Sequence, residues 1–232
     1  LRFSADYSQI ELRVLAHLSQ DSGLLEAFRR GEDIHAATGS LMFEVPINQV
    51  TPDMRRVAKV LNFGVIYGLS PHGISQQTGF SREEGVNFIE TYFSKYPGIQ
   101  AYLEQVKAKT RETQYVETLL HRRRHLPEIN AANFNVRGAA ERMAINMPIQ
   151  GTAADIMKLA MVRVHRRLER EKLRSKMLLQ VHDELVFEVP LEELEALKQV
   201  VLDEMPAALE PRELDVTLKV DTKWGPTWGD ME

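Results

Sequence analysis

The sequence predicts an α+β fold, an antiparallel sheet interrupted by a long, mainly helical insertion. Three observations carry that prediction. Strand-like runs stand at the start of the chain, on either side of residue 183 and near the end. The stretch between the first run and the later ones reads as helix after helix, several with capping signals. The later runs join through a turn short enough for an antiparallel hairpin. No internal repeat or low-complexity tract interrupts this pattern.

Taken in order, residues 1–7 (Leu1, Phe3 and Ala5 alternating) read as a strand. Ser8-Gln9-Ile10-Glu11 has the Ser-x-x-Glu form of a capping box and opens a helix to about Leu18. Asp33 precedes a helical stretch over 34–43. Thr51-Pro52-Asp53 combines a capping hydroxyl, a proline in the first turn and an acid at the positive end of the dipole. That helix is expected to run to Tyr67 and stop at Gly68-Leu69-Ser70-Pro71. Ser81-Arg82-Glu83-Glu84 is a second capping box, with helix to about Lys95. Tyr96-Pro97-Gly98 breaks the chain before a helix to about Glu112. Tyr115–Leu119 and His125–Pro127 flank a basic turn and read as a hairpin. Residues 133–171 are helical in pattern, with an interruption expected around Pro148 and Gly151. Met177–Val181 and Leu185–Val189 are apolar strands joined at His182-Asp183-Glu184. Helix follows over 191–205, and a final alternating strand is expected at Leu214–Val220.

The 232 residues, 44% hydrophobic and 27% charged, suffice for one large domain or two small ones. The absence of cysteine excludes disulfides and thiolate metal sites and fits a reducing, cytoplasmic setting. No apolar run approaches the roughly 20 residues of a membrane span, and no signal segment opens the chain. Because Leu1 already lies inside a strand-like run, a fragment or one half of a split or nicked protein is expected. The net charge of -4 does not announce a polyanion binder. Any such surface must be local, as at Arg55-Arg56-Val57-Ala58-Lys59 or Arg122-Arg123-Arg124.

Asp6 ends a strand before a helix, and Asp183 sits where two strands turn. Either acid has an ordinary reading as a strand-end or turn residue. The turn at Asp183 is unusual, because tight hairpins favour Asn-Gly or Asp-Gly and this one holds no glycine. Two carboxylates brought together repel unless a cation neutralises them. Mg²⁺ suits an oxygen-only donor set completed by water and phosphate. Two such ions, about 3.5–4 Å apart, would serve phosphoryl transfer.

Arg55, Lys59, Phe63 and Tyr67 recur every four positions and share one helix face. Two cations suit a triphosphate, and an aromatic suits a base or sugar. Gly64 costs roughly 1 kcal/mol relative to alanine in a helix, which close approach by a ligand would explain. The competing reading is a surface helix with a buried aromatic end.

These residues together resemble the family A DNA polymerases, the bacterial DNA polymerase I group. Asp6-Tyr7-Ser8-Gln9-Ile10-Glu11-Leu12-Arg13 is similar to motif A. Arg55, Lys59, Asn62, Phe63, Gly64, Tyr67 and Gly68 are similar to motif B, and Val181-His182-Asp183-Glu184 to motif C. Arg142, Asn146 and Gln150-Gly151-Thr152-Ala153-Ala154-Asp155 resemble the segment that handles the duplex. The likeness covers nearly the whole chain in the family's order.

The resemblance implies a palm sheet with an inserted fingers subdomain. It places palm at 1–30, fingers at 31–132 with the nucleotide-binding helix at 52–67, and palm again at 133–232. It implies a DNA-directed DNA polymerase using two Mg²⁺ ions, with Mn²⁺ able to substitute. Asp6, Asp183 and the Tyr7 carbonyl would hold metal, with Glu184 an accessory acid. Arg55 and Lys59 would hold the triphosphate, His35 assisting and Lys59 counted among the catalytic groups. Phe63 would pack on sugar and base, Tyr67 would stack where the template base arrives, and Gln9 would join the nucleotide site. Glu11 would exclude a ribose 2′-hydroxyl, a role compatible with its capping-box reading. Arg142, Asn146, Gln150 and His182 would touch the primer-template minor groove, whose acceptors report pair shape more than sequence. The helix at 52–67 would swing as a lid. Implied partners are primer-template DNA, deoxynucleoside triphosphates and an N-terminal polypeptide supplying the thumb and remaining palm; no membrane is implied. A single-subunit RNA polymerase, a non-catalytic DNA-binding module and a metal-dependent nuclease are the competing classes.

Overall fold

The computed structural model describes residues 1–231. The chain separates into two compact units, one formed by 1–14 with 150–232 and the other by 15–149.

In the first unit, β1 (Arg2–Tyr7), β4 (Lys176–Val181), β5 (Glu184–Glu188) and β6 (Val220–Gly225) form an antiparallel sheet in the order β4-β5-β1-β6. Period-two alternation along β1 buries Phe3, Ala5 and Tyr7 on one face and turns Ser4 and Asp6 to the other. The core face is sealed by Leu185 and Phe187 of β5, with Phe3 and Phe187 edge to edge at 6.1 Å. Ile156, Met157, Ala160 and Val164 of α8 (Phe134–Glu171) and Leu197, Val200 and Val201 of α9 (Leu194–Glu204) are buried in the same unit. Arg163 and Arg167 of α8 pair with Glu204 of α9 at 2.9 and 3.2 Å, tying the two helices together.

The second unit is helical: the second half of α1 (Ile10–Ser19), then α2 (Ser22–Arg29), α3 (Ile34–Phe43), α4 (Pro52–Ile66), α5 (Pro71–Thr78), α6 (Arg82–Lys95) and α7 (Pro97–Thr113). A small hairpin of β2 (Tyr115–Glu117) and β3 (Arg123–His125) precedes α8. The expected caps form. Thr51 accepts from the Met54 amide at 3.3 Å, Asp33 accepts from His35 and Ala36, and Ser81 with Glu84 closes a reciprocal box.

Three expectations need correction. α1 opens at Ile10, one residue later than a cap at Ser8 sets it, after Gln9 in the left-handed region (φ 54), and the Ser8 amide donates to the Lys219 carbonyl at 2.9 Å. The interruption expected at Pro148 and Gly151 is absent, since α8 runs unbroken over 38 residues. Proline costs about 3 kcal/mol there, but Ala144, Ile145, Ile149, Ala153 and Ile156 bury successive turns, and that packing outweighs propensity. The last strand is Val220–Gly225 rather than Leu214–Val220. Val216 and Leu218 are buried as the alternation suggested, but β1 ends at Tyr7, opposite Val220, so the upstream residues have no strand to pair with. Their carbonyls serve the β1–α1 turn instead, Thr217 accepting from Arg13 Nη1 at 2.7 Å.

Candidate active site

The first unit gathers the acidic residues. The β1–β5 register sets Asp6 opposite Glu184, and the Tyr7 amide donates to the Asp183 carbonyl at 3.0 Å. Two acids remote in sequence therefore stand at the same end of adjacent strands. On its other side Asp6 faces Asp221 of β6, an acid that motif reading passed over. Directly paired residues of antiparallel strands share a face, so Asp6, Glu184 and Asp221 project from the side of the sheet opposite its core, where Asp6 is exposed. Tyr7 itself points inward. Its hydroxyl donates to the Met205 carbonyl at 2.6 Å, and burial pushes its ionisation far above the ordinary range.

The turn that carries Asp183 confirms its unusual chemistry. His182 adopts φ 53, a left-handed conformation uncommon outside glycine, and is braced by Gln180 Nε2 donating to its carbonyl at 2.6 Å. Arg13 braces the other side. It is 5% exposed and donates to the Ser8 and Thr217 carbonyls at 2.8 and 2.7 Å, locking the bend after Asp6. Burial lowers its pKa, and the charge of Asp221 works in the opposite direction.

Carboxylates with a backbone carbonyl form the hard oxygen set that Mg²⁺ takes. Among the described residues no three His, Asp or Glu side chains are grouped to hold a metal. Cation binding at Asp6 and Asp183 would thus draw its remaining ligands from water and phosphate, as Mg²⁺ commonly does. Gln9 is half-buried with an Oε1 that has no hydrogen-bond partner, the kind of atom a ligand satisfies. Glu11 is half-buried in the first turn of α1, while Gln150 and His182 are exposed.

The second unit carries the basic helix face. Along α4, Arg55 and Lys59 are exposed and Phe63 is half-buried, with Tyr67 at the helix C-cap. Phe63 and Tyr67 stack at 6.0 Å and 24°, and the His35 ring lies 5.7 Å from Phe63. Arg55 Nε pairs with Asp33 Oδ2 at 2.6 Å, both side chains well exposed. Burial would raise the Asp33 pKa, but bonds from Arg55, Ala36 and His35 outweigh it and hold the carboxyl below its usual range. So exposed a pair contributes about 1 kcal/mol or less.

His35, 3% exposed, is held by groups that motif reading gave no role. Asn62, fully buried, places Nδ2 3.0 Å from His35 Nδ1, and Thr38 Oγ1 donates to Asn62 Oδ1 at 2.9 Å. Burial pushes the His35 pKa down to about 4; Asp33 opposes this, and Arg55 and Lys59 add to it. In the orientation that this network assigns, the neutral ring accepts at Nδ1 and carries its proton on Nε2.

Beside the aromatics, a cleft of about 490 Å³ is lined by Phe63, Gly64, Tyr67, Gly68, Ser70 and Arg142, among others. Gly68 requires its glycine, with φ 72 and a Cβ that would meet Ile145 at 3.2 Å. A Cβ built at Gly64 would stand 2.9 Å from the Leu69 side chain, so packing contributes to the use of glycine there. Arg142 is exposed, and Asn146 has a buried Oδ1 with no partner.

The first unit thus sets acids at one end of an antiparallel sheet, and the second carries a helix with Arg, Lys and two aromatics at four-residue spacing. The chain belongs to DNA polymerase family A, whose model matches residues 1–230. It is 53% identical over 232 residues to DNA polymerase I of Bacillus caldotenax, covering all of this chain and 26% of that protein. It is 47% identical to DNA polymerase I of Mycobacterium leprae, over 97% of this chain and 24% of that protein. Among solved structures, the POL domain of Pol1 from M. smegmatis, in complex with DNA primer-template and dNTP, superposes with a TM-score of 0.93. That match has 48% identity and covers 98% of this chain and 40% of the other. The chain thus spans about a quarter of the curated relatives' length. Among the described residues no helix is long and apolar enough to cross a membrane.

Proposed function

We propose that this chain carries the nucleotidyl-transfer site of a template-directed DNA polymerase, acting in the cytoplasm with a further polypeptide that supplies thumb and remaining palm. The observation that supports the reading is the β1–β5 register, which pairs Asp6 with Glu184 and brings the Asp183 carbonyl to the Tyr7 amide at the same end of the sheet. In this reading residues 1–30 and 133–232 act as palm and 31–132 as fingers. Asp6, Asp183 and the Tyr7 carbonyl hold two Mg²⁺ ions, with Glu184 accessory. Bound there, the ions would lower the pKa of a primer 3′-hydroxyl and neutralise charge on the triphosphate.

The chain's own groups do the rest. Arg55 leaves Asp33 for a phosphate oxygen, Lys59 adds a second cation, and His35 offers its Nε2 proton to the same anion. Phe63 and Tyr67 present a flat apolar surface to sugar and base. Gln9 and Glu11 contact the nucleotide in this reading, Glu11 by rejecting a 2′-hydroxyl. Arg142, Asn146, Gln150 and His182 read the minor groove, and the orphaned Asn146 Oδ1 is a natural acceptor for a base-edge donor. The need for a further polypeptide is supported by β4, a sheet-edge strand whose Leu178 and Leu179 are 44% and 49% exposed.

Primer extension tests the proposal, with deoxy- and ribonucleotides compared, Mg²⁺ present or withheld, and co-purifying chains identified by mass spectrometry. Template-directed, Mg²⁺-dependent deoxynucleotide addition is expected. Preference for ribonucleotides would favour the RNA polymerase class, and no extension by the intact protein would refute the reading.

A further inference from the structure

Glu184 lies directly opposite Asp6, close enough in register to complete a three-acid cluster with Asp6 and Asp183, yet among the described residues no such cluster forms. Its carboxylate is occupied elsewhere. Ser4, 5% exposed and two residues before Asp6 on the same sheet face, donates Oγ–H to Glu184 Oε1 at 2.5 Å. Trp228, from a short 3-10 turn near the end of the chain, donates Nε1–H to the same oxygen at 3.4 Å. Both donors engage one oxygen. Oε2 has no protein partner among the described residues, so Glu184 is tethered at Oε1 and open at Oε2.

We propose that Ser4 and Trp228 are positioning residues for Glu184, holding its carboxylate toward Ser4 so that it serves as an acceptor beside the acidic pair rather than as a third metal ligand. The inference rests on the reading of Asp6 and Asp183 as cation ligands. Ser4 sets the position through a short, charge-assisted bond on a rigid strand; Trp228 restricts the same oxygen from a different segment. Without the tether, the carboxylate is free to swing along β1 toward Asp6. It then joins the cation's ligand set, binding the ion more tightly and giving up the acceptor position that turnover uses.

The test is made on the intact protein with two readouts: Mn²⁺ binding without nucleotide, followed by electron paramagnetic resonance, and steady-state primer extension. Ser4→Ala is expected to tighten Mn²⁺ binding and lower kcat by about tenfold, the usual scale for loss of a ligand-orienting partner, with the KM for nucleotide unchanged. Ser4→Thr, which keeps the hydroxyl, should restore both. Trp228→Phe should act in the same direction and more weakly, as its longer contact implies. In a Glu184→Gln background, Ser4→Ala should have no further effect. Wild-type Mn²⁺ binding and kcat in Ser4→Ala would overturn the proposal, as would an equal loss of kcat with and without Glu184. The underlying metal reading fails separately: Asp6→Ala would then leave Mn²⁺ binding intact, whatever Ser4→Ala does.

Discussion

Replacing His35 by asparagine should flatten the acid limb of the stability curve. In the unfolded chain a histidine takes up its proton near 6.5, whereas burial holds His35 to about 4 in the fold. Between those values the unfolded state binds a proton that the folded state refuses, so stability is complete above about 6.5 and falls as the pH drops toward 4. At about 1.4 kcal/mol for each pH step, the loss reaches up to about 3 kcal/mol. Asp33, Arg55 and Lys59 are the charged groups acting on the imidazole. The depressed Asp33 carboxyl contributes stability that is lost only as the pH falls below its ordinary 3.8. Urea unfolding midpoints of the intact protein, measured from pH 7 to 4 for wild type and His35→Asn, isolate the difference. The wild type should lose up to about 3 kcal/mol more than the variant over that range. Parallel curves would refute the account of His35 as a histidine kept neutral by burial.

Two further outcomes follow from packing and from the aromatic face. Phe63→Tyr should raise dideoxynucleotide incorporation in primer extension by about tenfold, the scale of one added hydrogen bond; no rise would show that this helix position is misassigned. Gly98→Ala should destabilise the protein by about 1–3 kcal/mol in denaturant unfolding. A Cβ there would stand 2.8 Å from the Asp21 Cα and disturb the 2.8 Å bond from the Gly98 amide to Asp21 Oδ2, the residue that also caps α2. A gain of stability, as alanine ordinarily brings to a helix, would contradict the close approach of α7 to that cap.

Elements whose signals are local were readable from residues alone. Thr51-Pro52-Asp53 opens α4 where the cap chemistry requires, the apolar alternation of β1 survives as its core-facing side, and the apolar run of β5 is buried at Leu185, Val186 and Phe187. Where local chemistry and packing disagree, the residues mislead. Pro148 reads as a break, but the buried row from Ala144 to Ile156 carries α8 through it. Ser70-Pro71 reads as the end of one helix and equally caps the next, so α5 went unseen; Ser22-Gly23 similarly hides α2 behind loop-like residues. That Asp6 and Asp183 would fall at the same end of adjacent strands was inferable, because one ends a strand and the other lies in the turn between two. The tether on Glu184 and the Thr38–Asn62–His35 chain were not, because each joins residues that only the register of a sheet or the packing of two helices brings together.

The central claim is that two acids distant along the chain serve one chemical step. Asp6→Ala and Asp183→Ala, prepared separately in the intact protein, should each abolish Mg²⁺-dependent primer extension while retaining wild-type affinity for primer-template duplex in a gel-shift or anisotropy titration. A variant that binds DNA and still extends the primer at near wild-type rate would contradict the account.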